Sequence, residues 1–333
     1  MTISLPQADP ALADALTAGL VVVERRLREA VTHSDALAGA TSRHLVDAGG
    51  KRLRPLLTLL AAHLGEPDRP QVVDAAVVVE LTHLATLYHD DVMDAAPVRR
   101  GAPSAHEIWG NQVAVITGDL VFARASAIAA DLGPVAIRLL AETFERLCIG
   151  QLHETVGPAA DDDPVAHYLQ VLADKTASLI ATSARFGAMF AGAPPGAEDA
   201  LVAYGEAAGV AFQLADDVID LTSEGAVTGK TPGTDLRDKV PTMPVLLLRR
   251  SLAEGAGTAA DAELLALLDS DLSADADLAR AVAALRTHDV VAATREQALA
   301  WGRRAVEALE PLPDGPVTAA LVAFTTALVD RSA

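Results

Sequence analysis

The sequence predicts an all-α protein, and three observations carry that reading. Segments of roughly 15–25 residues lie between clusters of turn residues, long for strands and ordinary for helices. Hydrophobic residues make up 51% of the chain and aromatics only 3%, so the core is built from Ala, Val and Leu, which suits close helix packing. Acidic residues recur at helical spacing inside apolar stretches: Asp90, Asp91 and Asp94 in LATLYHDDVMD, and Asp216, Asp217 and Asp220 in VAFQLADDVID.

The elements follow from the punctuation between them. Turn clusters fall at GEPDRP (65–70), APVRRGAPS (96–104), DLGP (131–134), GPAADDDP (157–164) and GAPPGAE (192–198). Further clusters are the Gly- and Thr-rich 222–235, LAEGAGT (252–258) and PLPDGP (311–316); Gly and Pro break regular structure there. The run at 72–84, VVDAAVVVELTHL, is rich in β-branched residues and would suit a strand. Its length favours a helix, as does the face made by Val79, His83, Thr86, Asp90 and Asp94 at three- to four-residue spacing. No low-complexity tract or short repeat interrupts the chain. Its 333 residues allow one large domain or two. Two acidic motifs that serve one site imply a single domain over 1–333. The expectation is a bundle of long helices around a central cavity, with a motif-bearing core at about 45–250 and supporting helices at both ends.

The net charge of −19 argues against nucleic acid and against docking on an anionic membrane. Cys148 is the only cysteine, which excludes a disulfide framework and a Cys-based metal site and fits the cytoplasm. The N-terminus lacks a basic region followed by an apolar run, so no signal peptide is expected. No uninterrupted apolar stretch of about 18 residues is seen, so no membrane span is expected. Mean hydropathy is nevertheless positive, +0.28, which suits extensive burial or an apolar ligand.

Each acidic motif puts two carboxylates one turn apart on one helix face. Such a pair repels itself unless a cation intervenes, and Mg²⁺ prefers carboxylate oxygen. The basic residues add a second signal. Of 26, only four are lysine: Lys51, Lys175, Lys230 and Lys239. Lysine is a compact point charge on a flexible stem, unlike arginine, and all four lie in motif-like segments. Gly49-Gly50-Lys51-Arg52-Leu53-Arg54-Pro55 sets three cations beside a helix start, an arrangement suited to phosphate. Arg99-Arg100-Gly101 follows the first acidic helix, Lys175-Thr176 opens another helix, and Gln213 precedes Asp216 by about one turn. The loop after the second acidic motif reads Gly229-Lys230-Thr231-Pro232-Gly233-Thr234-Asp235-Leu236-Arg237-Asp238-Lys239.

Taken together, GGKRLRP, HDDVMD, RRG, Gly150-Gln151, KT, FQLADDVID and GK…DLRDK resemble, in order, the trans-isoprenyl diphosphate synthases of the polyprenyl synthetase family. The resemblance covers about 45–250. It implies that Asp90 and Asp94, with Asp91 in support, bind Mg²⁺ together with Asp216, and that Asp217 and Asp220 act as ligands or as partners of ligands. It implies three Mg²⁺ per active site, and an allylic diphosphate gripped with help from Arg99, Lys175, Lys230 and Lys239. Isopentenyl diphosphate is then held by Lys51, Arg54, His83 and Arg100. Thr176 and Gln213 are placed to stabilise an allylic cation. The resemblance further implies a homodimer, and a product that grows along the helix that precedes Asp90. Thr86 and Ala85 sit one turn upstream and Thr82, Leu81 and Val79 further on; none is aromatic, which favours products beyond C20. Phe122 and Phe144, on other helices, are rival stops. A short-chain (C15 or C20) synthase, a non-catalytic subunit of a heteromeric synthase, a terpene cyclase and a metal phosphohydrolase are the alternatives.

Overall fold

The computed structural model describes residues 9–222 and 232–330. Among these the chain is all-α, apart from one hairpin of two-residue strands that pairs Val98 with Pro103 and Arg99 with Ala102. The chain divides into two compact units. The first comprises residues 1–146, 178–205 and 308–323, and the second 147–177, 206–307 and 324–333.

The first unit is organised around α4 (Pro70–Met93). Proline opens it at a position where its missing N–H is not needed. Its buried residues include Val72, Ala75 to Leu81, Leu84, Ala85 and Tyr88, which fall on every side of the helix. A helix apolar all round belongs in a core, and α4 packs on α1 (Pro10–Ala30), α3 (Leu53–Ala62), α6 (Asn111–Leu132) and α9 (Ser178–Ala191). α1 starts where the Asp9 carboxylate accepts from the N–H groups of Ala11 and Leu12, a normal N-cap. It buries Leu12, Leu16, Leu20, Val23 and Leu27 at three- and four-residue steps. α2 (Ala36–Asp47) is capped in the same way by Asp35. Tyr88 points at α2: its hydroxyl donates to Thr41 O at 2.6 Å and accepts from Leu45 N at 3.2 Å.

In the second unit, the part of α10 (Ala197–Thr222) from Glu206 onward supplies Val210, Ala211, Leu214 and Ala215 to one apolar cluster, with Tyr168, Leu172, Met243 and Leu246. Val218 and Leu221 enter another cluster with Leu248, Leu264, Leu268 and Leu285.

Among the described residues, two helices are long and apolar enough to cross a membrane by length and composition. α4 has 67% of its apolar window buried in the protein, and α6 only 33%. Asp119 and Arg124 interrupt the apolar run of α6, although its mean hydropathy reaches 1.6. α4 is accounted for as a core helix. α6 leaves Val115 and Ile116 exposed.

Helix breaks at 31–35, 270–274 and 287–288 were not marked by the turn clusters. Asp, Ser and Thr end helices there, and none of the three contains Gly or Pro. Such caps work through a side-chain hydrogen bond and leave a weaker signature.

Candidate active site

In the first unit, the sequence Gly49-Gly50-Lys51-Arg52 turns the chain into α3. Gly49, Gly50 and Arg52 take φ of 79°, 141° and 50°. A non-glycine residue at positive φ persists only where its surroundings hold it. Arg52 is held by its side chain, which is 5% exposed. Its Nε donates to Glu24 at 2.5 Å, Nη1 to Glu80 at 2.8 Å and Nη2 to Val46 O at 3.0 Å.

Arg100 comes to the same place from the hairpin. The hairpin has a two-residue turn in which Arg100 and Gly101 both have positive φ, 56° and 80°, as the tightest hairpin turns require. Arg100 Nη1 donates to Leu45 O at 3.1 Å and to Gly49 O. A Cβ at Gly50 would stand 2.8 Å from the Arg100 guanidinium carbon, on a backbone whose φ of 141° L side chains rarely adopt, so a side chain there would displace the arginine and strain the turn.

Arg54 completes the cluster. Its Nε is enclosed and has no partner. Burial pulls its pKa down to about 10, and Arg100 adds to the effect. An enclosed donor beside further cations is a site prepared for an anion. His83 is partly buried among these groups. Burial first, and then Arg54, Arg100, Arg99 and Arg52, hold its imidazole well below the ordinary value, so it is neutral and has one donor and one acceptor nitrogen. Lys51 is exposed beside this loop.

The His83 shift has a testable sign. The imidazole stays neutral in the fold while the unfolded chain takes up a proton near pH 6.5. The folded pKa is depressed, so the stability it carries is present above pH 6.5 and is lost as pH falls below it. His83→Gln is expected to flatten the acid arm of a Tm-against-pH curve between about pH 6.5 and 5. An acid arm as steep as the parent's contradicts a neutral His83.

The first acidic motif lies in the last turn of α4. Negative charge is disfavoured at a helix C-terminus, so the three carboxylates there call for cations. Asp91 is 0% exposed and has one: Arg99 Nε meets its Oδ1 at 2.6 Å. Its Oδ2 is enclosed without a partner. Burial raises the Asp91 pKa, against the pull of Arg99. Asp90 is partly exposed and Asp94 exposed. Arg99 therefore holds Asp91 in this structure rather than standing open for a substrate. His89 faces α6, with Nε2 3.1 Å from Val115 O and 3.2 Å from Asp119.

Upstream on α4, Ala85, Leu81, Thr82 and Val79 are fully buried and Thr86 partly so. The hydroxyls of Thr82 and Thr86 donate to Val78 O and His83 O in their own helix, so the outward part of each side chain is its methyl group. Phe122 and Phe144 stack on one another with ring centroids 3.7 Å apart.

In the second unit, Lys175 and Thr176 lie on a π-turn, Ala173–Ala177. Such turns inside helices mark functional positions. The segment crosses Gly150 so closely that a Cβ there would stand 2.6 Å from Lys175 N. This explains the glycine of the Gly150-Gln151 pair. Lys175 Nζ is hydrogen-bonded to Glu154, and Thr176 is buried.

The middle aspartate of the second motif is also turned inward. The Tyr168 hydroxyl donates to both Asp217 oxygens, at 3.0 and 2.9 Å, and Met243 N–H donates at 3.0 Å. Burial raises Asp217 to about 8, against these hydrogen bonds. Of its two expected roles, the geometry matches the partner rather than the ligand. Asp216, Asp220 and Gln213 are partly exposed on α10.

Lys239 differs from expectation. Its Nζ donates to Leu268 O at 3.0 Å and to Ser270 O, at the end of the helix Ala259–Asp269, where carbonyls lack helical partners and attract cations. Lys230 lies outside the described residues. Among the described residues no three His, Cys, Asp or Glu side chains converge as a complete metal cage. The residues that order the site and escaped the sequence reading are Glu24, Glu80, Glu154 and Tyr168. Of these only Glu80 left a signal, a charge inside the apolar run Val77–Leu81.

The polyprenyl synthetase family model matches residues 35–285. The chain belongs to the polyprenyl synthetase family. It is 42% identical to the nonaprenyl diphosphate synthase of Mycobacterium tuberculosis over 97% of this chain and 95% of that one. The polyprenyl synthase of Caulobacter crescentus, crystallised with calcium and isoprenyl diphosphate, superposes with a TM-score of 0.86 at 33% identity, covering 97% of both chains. The geranylgeranyl pyrophosphate synthase of Corynebacterium glutamicum, also with calcium and isoprenyl diphosphate, gives 0.85 at 41% identity, covering 97% of this chain and 98% of that one. This member of the polyprenyl synthetase family has the all-α isoprenoid synthase fold and is a trans-prenyltransferase.

Proposed function

We propose that this prenyltransferase joins isopentenyl diphosphate to an allylic diphosphate, with Mg²⁺, and extends the product beyond C20. The observation that carries the reading is the cluster of Arg54 on α3, Arg100 in the hairpin turn and His83 on α4, the helix that leads to Asp90 and Asp94, with an enclosed Arg54 Nε that has no partner. Arg54 and Arg100, with Lys51, match the charge of isopentenyl diphosphate, and His83 adds a neutral hydrogen-bonding group. Lys175 serves the allylic diphosphate, Arg99 joins it only on leaving Asp91, and Thr176 and Gln213 turn oxygen dipoles to the allylic cation. Lys239 joins them only on leaving Leu268 O and Ser270 O, and Lys230 is assigned beside it from its motif alone.

Bound Mg²⁺, three ions in this reading, supplies neutralisation of the leaving diphosphate, held by Asp90 and Asp94 and by Asp216 and Asp220. Mg²⁺ is commonly held by one or two carboxylates plus substrate phosphates, so outward carboxylate pairs suffice without a closed cage. The calcium and isoprenyl diphosphate in the Caulobacter and Corynebacterium relatives support this choice. Asp91 and Asp217 orient neighbouring groups. The apolar residues of α4 keep water from the cation, and the proton lost after condensation leaves with the diphosphate. The reading needs both acidic motifs at one site, and so takes residues 1–333 as one domain.

Product length rests on α4, where Thr86, Ala85, Thr82 and Leu81 offer no aromatic stop, and on the nonaprenyl relative. We place the enzyme in the cytoplasm, without nucleic acid or a membrane span, as a homodimer. The exposed Val115 and Ile116 of α6 suit a second copy of the chain. Sedimentation at about twice 34.4 kDa checks the dimer, and a monomer at working concentration contradicts it. Chelation by EDTA is expected to abolish incorporation of isopentenyl diphosphate, and Mg²⁺ to restore it. Full activity in EDTA sinks the metal assignment.

A further inference from the structure

We propose that Glu80 is a positioning residue for the isopentenyl diphosphate pocket, holding Arg52, Arg54 and Arg100 together as one cation cluster. The proposal rests on the pocket assignment made above. Glu80 is 2% exposed, in a stretch of α4 whose other members, Val77, Val78, Val79 and Leu81, are fully buried apolar residues. A carboxylate in such a place persists as an anion only with cations against it. Three arginines fill that need. Arg52 Nη1 donates to Glu80 Oε1 at 2.8 Å, and Arg100 Nη2 stands 4.0 Å from the same oxygen. Glu80 is also the charge that attracts Arg54, whereas Arg100 repels it. One buried anion is thus common to three guanidinium groups that otherwise push one another apart.

The three arginines are left in different states. Arg52 is saturated by Glu24, Glu80 and Val46 O. Arg100 is pinned over Gly50 by two carbonyls. Arg54 keeps an enclosed Nε without a partner. Glu80 therefore sets where the cations stand, and Arg54 keeps a donor for the ligand. Glu80 and His83 lie three residues apart on one face of α4, which places the counter-charge one turn from the neutral ligand of the same pocket.

The test is a split between the two KM values. Glu80→Gln keeps the shape and removes the charge. Its KM for isopentenyl diphosphate is expected to rise at least about tenfold, while its KM for the allylic diphosphate moves less than about twofold. A purely structural role moves both together or neither, and either result overturns the proposal. If Glu80→Gln does not fold, Glu80→Asp carries the test, with a smaller rise confined to the same substrate; equal or absent shifts overturn it. Arg54→Gln separates the two levels. No rise in its KM for isopentenyl diphosphate overturns the pocket assignment, and the proposal with it. A rise there with Glu80→Gln silent overturns the positioning role alone.

Discussion

Asp90→Ala and Asp216→Ala are each expected to lower turnover on the order of 10³-fold or more, about 4 kcal/mol of transition-state stabilisation, with the helical CD signal unchanged. Both residues are partly exposed, so neither carboxylate is part of the buried core. Each removes a carboxylate that receives the metal, and the leaving diphosphate then lacks its main neutralising charge. The middle aspartates behave differently. Asp91→Ala leaves the Arg99 guanidinium without its 2.6 Å partner. Asp217→Ala strips acceptors from the Tyr168 hydroxyl and Met243 N–H. Leaving such groups unsatisfied costs about 1–3 kcal/mol each, so these two variants are expected to lower Tm as well as activity. Near-normal turnover in Asp90→Ala or Asp216→Ala contradicts the metal assignment. An unchanged Tm in Asp217→Ala contradicts its buried role.

The second large effect concerns product length. Thr86→Phe places an aromatic ring one turn upstream of Asp90, and the products are expected to stop at C15 or C20. A helix rises about 5.4 Å per turn, close to one extended isoprene unit, so a block one turn down truncates growth early. Thr86 is the better position because it is only partly buried, whereas Ala85 is fully buried. A Phe at Ala85 overpacks the core, at about 1–3 kcal/mol. Product lengths identical to the parent's would show that growth does not follow this face of α4, and the stacked Phe122 and Phe144 become the next stop to test.

Much of this was legible in the sequence because it is local. The spacing of Val79, His83, Thr86, Asp90 and Asp94 gave α4 its helix despite a β-branched run. The acidic and basic motifs named the groups that the chemistry needs. Their internal allegiances were not legible. Arg52 meets Glu24 and Glu80, each 28 residues away in sequence, and Tyr168 meets Asp217 across 49. No local pattern encodes such pairs. The middle aspartates look equivalent to their neighbours in the sequence, yet they sit on the inward side of the helix, where burial and hydrogen bonds claim them. Lys239 reads as a site lysine by its motif, but positive φ at Lys239 and the open carbonyls of Leu268 and Ser270 draw it to a helix end.

The most direct measurement of the central claim is a product assay with Mg²⁺, radiolabelled isopentenyl diphosphate and each allylic primer in turn, separated by chain length. The account predicts labelled polyprenyl diphosphates of C30 or longer. Products that stop at C15 or C20 contradict the open wall of α4, and no elongation from any primer contradicts the condensation itself.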